Sequence, residues 1–111
     1  MKQIRISPAQ LTALETAGVF EIDEGDAAEL VTVRAAIEGG RIAVSLEVSR
    51  ALHELANVAD EYGRDRFRDK DDAAMYRADS RALTALAFKV SRELREALVA
   101  QVERDILTGE G

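Results

Sequence analysis

Apolar and polar positions change period along this chain, and the changes mark its elements. Lys2-Gln3-Ile4-Arg5-Ile6 alternates and predicts a short half-buried strand. Ser7-Pro8-Ala9-Gln10 then carries a helix start. Ser7 can cap, Pro8 suits the first helical position, and Gln10 can complete a capping box. Leu11 and Leu14 supply an apolar stripe, with Gly18 placed as a left-handed C-terminal cap. Alternation returns over Val19 to Asp23, and Glu24-Gly25-Asp26 reads as a turn.

The strongest local pattern is a hairpin. Val31, Val33, Ala35 and Ile37 alternate with polar or small residues, as do Ile42, Val44, Leu46 and Val48. Between them Glu38-Gly39-Gly40-Arg41 fits a two-residue primed turn, because glycine tolerates the positive φ that such a turn imposes. That turn predicts Ile37 opposite Ile42, Val33 opposite Leu46 and Val31 opposite Val48, with every apolar side chain on one face.

From Ser49, a candidate N-cap, the period becomes helical. Leu52, Leu55, Ala56, Ala59 and Tyr62 form one stripe, extended to Phe67. The charged stretch Arg64 to Asp72 contains a turn. A second stripe runs through Leu83, Ala87, Val90, Leu94, Leu98, Val102 and Ile106. A helix from Asp71 or Asp72 to the end of this stripe has about 36 residues and is roughly 54 Å long. A compact domain of this size is only about 30–35 Å across. The helix therefore breaks near Asp79-Ser80, or it projects and needs a partner to cover it. The expected order is β-α-β-β-β-α-α, an α+β fold in which a small, mainly antiparallel sheet packs against a C-terminal helical hairpin. A single domain spans 1–111, with a strand-rich part over 1–48 and the hairpin over 49–108.

Composition narrows the chemistry. The 111 residues include nineteen alanines, three Phe, two Tyr and no Trp, which implies close helix packing rather than aromatic bulk. No cysteine is present, which removes disulfides, thiolate nucleophiles and zinc–thiolate sites from consideration. Polar residues and a proline follow Met1-Lys2, so no signal-peptide core is expected, and no apolar run reaches a membrane span. A cytoplasmic location is the expectation. The net charge of −6 disfavours general nucleic-acid binding. Acidity concentrates between Arg5 and Arg34, where Glu15, Glu21, Asp23, Glu24, Asp26 and Glu29 meet no basic residue.

Candidate chemistry is sparse. His53 opens His53-Glu54-Leu55-Ala56-Asn57, but the second histidine that a zincin helix needs is Asn57, and the chain has no other histidine. The carboxylates from Glu21 to Glu29 lack EF-hand spacing, so solvated turn residues or a docking surface for a basic partner is the better reading. Arg64, Arg66, Arg68 and Lys70 lie near Tyr62 and Phe67, interleaved with Asp65, Asp69, Asp71 and Asp72. That mixture suits selective protein recognition more than phosphate neutralisation. No phosphate loop, nucleophile elbow or dinucleotide fingerprint occurs. The expectation is a protein without an enzyme active site, cofactor or metal: a protein-binding module, as in the stoichiometric regulators or inhibitors carried by phages and mobile elements. A chaperone or adaptor is the alternative, and a carboxylate- or metal-dependent enzyme a more distant one. Arg64, Phe67, Arg68, Asp23, Glu24 and Asp26 are the candidate partner-binding residues. Val90, Leu94, Leu98 and Val102 are the candidates for self-association into a homodimer.

Overall fold

The computed structural model describes residues 2–19 and 24–107, with the side chains of 16–27 outside the description. The elements are β1 (Gln3–Arg5), α1 (Pro8–Val19), α2 (Glu24–Ala35), β2 (Ile37–Glu38), β3 (Arg41–Ala43), α3 (Leu46–Arg64) and α4 (Lys70–Leu107). The class is α+β, a three-stranded antiparallel sheet packed with long C-terminal helices.

Sheet order is β1-β3-β2. Ile42 sits at its centre, opposite Ile4 on one side and Ile37 on the other, and is fully buried. Gly39 and Gly40 have φ of +58° and +75°, so the primed turn and the Ile37–Ile42 register are as expected. Beyond that pair the hairpin differs from expectation. Residues 31–35, expected in a strand, belong to helix α2, with Leu30 and Val33 buried and Val31 67% exposed. A strand would have placed Val31 and Val33 on the same face; a helix separates them. The second strand likewise ends at Ala43. Ser45 Oγ accepts from Val48 N, caps α3 four residues before Ser49, and leaves Leu46 52% exposed. The expected pairs Val33–Leu46 and Val31–Val48 therefore do not form.

Other local expectations divide. Ser7 and Gln10 make the reciprocal capping box: Ser7 N donates to Gln10 Oε1 at 2.9 Å and Gln10 N to Ser7 Oγ at 3.2 Å. Gly18 lies inside α1 rather than capping it, and Gly25 lies inside α2 rather than in a turn. Of the strand expected at 19–23, Val19 ends α1 and 20–23 fall outside the described residues.

The body of the molecule is the antiparallel pair α3 and α4, with α2 on α3 and α1 against α4. Leu52 and Leu55 meet the α4 side chains Leu83, Leu86, Ala87 and Val90 in the core, which also takes in Ala13, Leu14, Leu30 and Val33. Val90, expected at a self-association face, is fully buried here. Small residues let the two backbones approach. A Cβ on Gly63 would lie 2.6 Å from Arg77 Cγ and 3.1 Å from Arg77 N. Ser80 donates to Ala56 O across the seam at 3.0 Å. Its hydroxyl is thus used between helices and caps nothing, and α4 runs unbroken through Asp79-Ser80 for 38 residues, about 57 Å. β1 is fastened to the middle of α4: Lys2 Nζ pairs with Glu93 at 2.5 Å, and Lys89 Nζ donates to Arg5 O at 3.3 Å. The Lys2 contact holds the Glu93 carboxyl below its usual range and raises the lysine.

The radius of gyration is 16.2 Å, against about 13 Å for a compact chain of this length. The extents of 60 × 27 × 24 Å show why: α4 sets the long axis and outruns everything packed on it.

Candidate functional site

The two ends of α4 present different chemistry. At the C-terminal end, Ser49 near the start of α3 meets Ser91, so α4 beyond about Leu94 has passed the end of its antiparallel neighbour. The stripe changes character there. Leu83, Ala87, Val90 and Leu94 alternate steps of four and three, which keeps them on one seam. Leu94, Leu98, Val102 and Ile106 are spaced by four throughout, so the line turns about 40° around the helix per step. Leu94 is half-buried at the edge of the core, whereas Leu98, Val102 and Ile106 are 60%, 56% and 69% exposed. Val99 and Leu107 flank them and are exposed too. Polar side chains on this stretch satisfy one another along the helix: Arg104 donates to Gln101, and Gln101 donates to Asp105. Of the four expected self-association residues, then, Val90 is core, Leu94 is at the boundary, and Leu98 and Val102 lie on the open ridge. Ile106 extends that ridge, and the uniform spacing of four was the signal for it.

At the other end, residues 65–69 turn the chain from α3 into α4. Asp65 accepts from Phe67 N at 3.0 Å, and Arg77 Nη1 donates to Gly63 O at 3.0 Å. An open concavity of about 530 Å³ lies between the turn and α4. Its charged lining is Arg64, Arg66, Arg68, Lys70 and Arg77, with Asp65 the one carboxylate. Arg68 lies over an edge-on pair of rings, its guanidinium 4.9 Å from the Tyr62 centroid and 5.0 Å from that of Tyr76, which are themselves 5.2 Å apart. Phe67 stands 86% exposed, beneath the guanidinium of Arg66 at 5.2 Å. Arg64 pairs with Asp60 at 3.0 Å. Arg64, Phe67 and Arg68, expected at a partner surface, thus cluster at one tip. Arg77 joins them from α4, a neighbour that only the antiparallel packing reveals. Asp23 lies outside the described residues. Glu24 and Asp26 begin α2, but their side chains are outside the description.

Near this tip Asp79 is pushed up to about 6 by burial, from an ordinary 3.8. Between those values the folded chain holds a proton that the unfolded chain has released, so stability should fall as pH rises through this window. Asp79→Asn should therefore stabilise the protein at pH 7, by on the order of 1 kcal/mol once screening at this partly exposed site is allowed for. The gain should vanish near pH 3.5. Thermal melts of both proteins at the two pH values check this, and a gain that persists at low pH would exclude the Asp79 carboxylate as its source.

One further constellation was not anticipated. Ser49 Oγ and Ser91 Oγ share a 2.6 Å hydrogen bond, and His53 Nε2 lies 3.3 Å from Ser91 Oγ. His53 also packs edge-on to Phe88, at 5.6 Å between centroids. This chain of hydroxyls and imidazole crosses the α3–α4 seam, where it satisfies polar groups between two packed helices. His53 is accordingly half-buried at the edge of this seam. Among the described residues no three His, Asp or Glu side chains converge on a metal position, and no helix is long and apolar enough to cross a membrane.

No family model matches this chain, and neither a curated protein nor a solved structure matches it significantly.

Proposed function

We propose that this chain is a non-catalytic protein-binding module that works as a homodimer, a stoichiometric regulator or inhibitor acting by occupying its target. The observation that carries this reading is the ridge of Leu98, Val102 and Ile106, exposed on a length of α4 that no other element covers among the described residues. Monomeric proteins rarely leave so continuous an apolar strip in water, and such strips mark interaction surfaces. A second copy is the occupant favoured by geometry. A ridge of four-residue steps packs into the groove between the same steps on another helix, at a crossing angle of about −50°. Two identical ridges therefore complement one another, as a two-fold interface requires. A cytoplasmic setting suits a chain with no cysteine to oxidise.

Sedimentation velocity at micromolar concentration tests the dimer. Wild type should sediment at twice the 12.1 kDa of one chain. Changing Leu98 and Val102 together to Asp should give a 12.1 kDa species with an unaltered far-ultraviolet spectrum, because neither side chain belongs to the core. A wild-type protein that stays at 12.1 kDa would overturn self-association.

A further inference from the structure

We infer that the basic concavity at the α3–α4 turn is a docking site for an extended acidic segment of a partner protein. Charge segregation is the first support. The lining carries four net positive charges, or three once Asp60, which pairs with Arg64, is counted. The chain has a net charge of −6, so the rest of the molecule then carries nine net negative charges. A local basin of one sign on a surface of the other attracts a short, oppositely charged segment and orients it.

Shape and order decide the class of ligand. The concavity is open, and its cations are contributed by the end of α3, the turn and α4. An extended peptide with acidic residues at alternate positions presents carboxylates about 6.6 Å apart along one face, so several can meet cations from different elements at once. Arg68 is already packed over the Tyr62–Tyr76 pair, with its buried Nε lacking a hydrogen-bond partner among the described residues. The entropy of ordering that side chain is lost on folding, and so does not oppose binding. Phe67 stands beside the cations as an exposed aromatic anchor, and aromatic side chains with arginine dominate binding energy at protein interfaces.

A nucleic acid would satisfy the same cations but continue past them. Asp69, Asp71 and Asp72 are exposed next to the basin, and the chain outside it is net acidic. Repulsion over a screening length of about 8 Å would act on every phosphate that overran the basin. A peptide ends or changes composition there; a polynucleotide does not.

The test is fluorescence anisotropy with a fluorescein-labelled peptide in which glutamate alternates with glycine and leucine, read at fixed salt. Binding to the wild type should saturate, and should weaken about ten-fold in the double variant Arg66→Glu, Lys70→Glu. Both residues are exposed in the turn or at the first position of α4, so the fold should persist, and a melting curve checks it. The double variant Arg81→Glu, Arg92→Glu makes the same change in net charge elsewhere on α4 and should bind as wild type. Equal weakening in that control, undiminished binding in the basin variant, or no saturation at millimolar protein would each overturn the proposal. So would tighter binding of oligothymidylate than of the peptide at the same salt. Any of these leaves the sedimentation result on the ridge untouched, so the two readings fail separately.

Discussion

Trimming Leu86 to alanine should cost the fold about 3–4 kcal/mol, whereas the same change at Leu98 should cost less than about 0.5 kcal/mol in the monomer. The two leucines share a helix, but Leu86 is fully buried and Leu98 stands on the open ridge. At Leu86 the deletion leaves a cavity between α4 and the rest of the core, which close-packed neighbours fill only in part. At Leu98, 60% exposed, there is little burial among the described residues to lose. Any stability lost there should instead grow with protein concentration, because covering that side chain requires a second copy. Urea unfolding at two concentrations a hundred-fold apart separates the cases. A large loss at Leu98 that ignores concentration would show that the ridge is covered within one chain.

Replacing Gly39 and Gly40 together by valine should destabilise the protein by about 3 kcal/mol, from roughly 1–2 kcal/mol per residue forced into left-handed backbone. Space is not the obstacle, since a Cβ at either position would meet nothing within 4 Å. The cost is conformational, at φ of +58° and +75°, and β-branched side chains resist that region most. A shift there would also disturb the pairing of β2 with β3, and with it Ile42 at the centre of the sheet. Gly39→Asn is the control, because asparagine tolerates positive φ and should lose far less. Thermal unfolding of the three proteins decides it; a double valine variant as stable as wild type would show that the turn can relax at no cost.

That turn was legible in the sequence because two adjacent glycines between apolar positions tolerate the positive φ that a two-residue primed turn imposes. The capping box at Ser7 and the reversal after Arg64 were legible for similar reasons: each depends on neighbours close in sequence. Helix α2 was not. Val31 and Val33 fit either period, and the strand pattern over 31–37 leaned on Ala35 as an apolar position although alanine favours helix. Burial of Leu30 and Val33 with the α3 side chains of the core settled the choice, and that contact is tertiary. The start of α3 shows the same limit. Ser45 and Ser49 are both acceptable caps, and Ser49 is taken by Ser91, a partner 42 residues away. The excess length of the last helix over a compact domain was visible beforehand because it needs only arithmetic, and it led to Leu98 and Val102. The full basin was not, since Arg77 joins it only when two helices fold back on each other.

The unbroken course of α4 has one more consequence. A single rigid rod separates the basin near Lys70 from the ridge near Val102 by about 48 Å. A dimer closed at the ridges would carry a basin at the far end of each rod, held apart at a set spacing with no flexible linker between them. A target with two acidic segments at that spacing would be gripped with avidity, the second contact forming at high effective concentration once the first is made. A target with one segment, or with two at the wrong distance, would gain nothing. Geometry set by helix length would then discriminate between partners whose individual segments bind equally well.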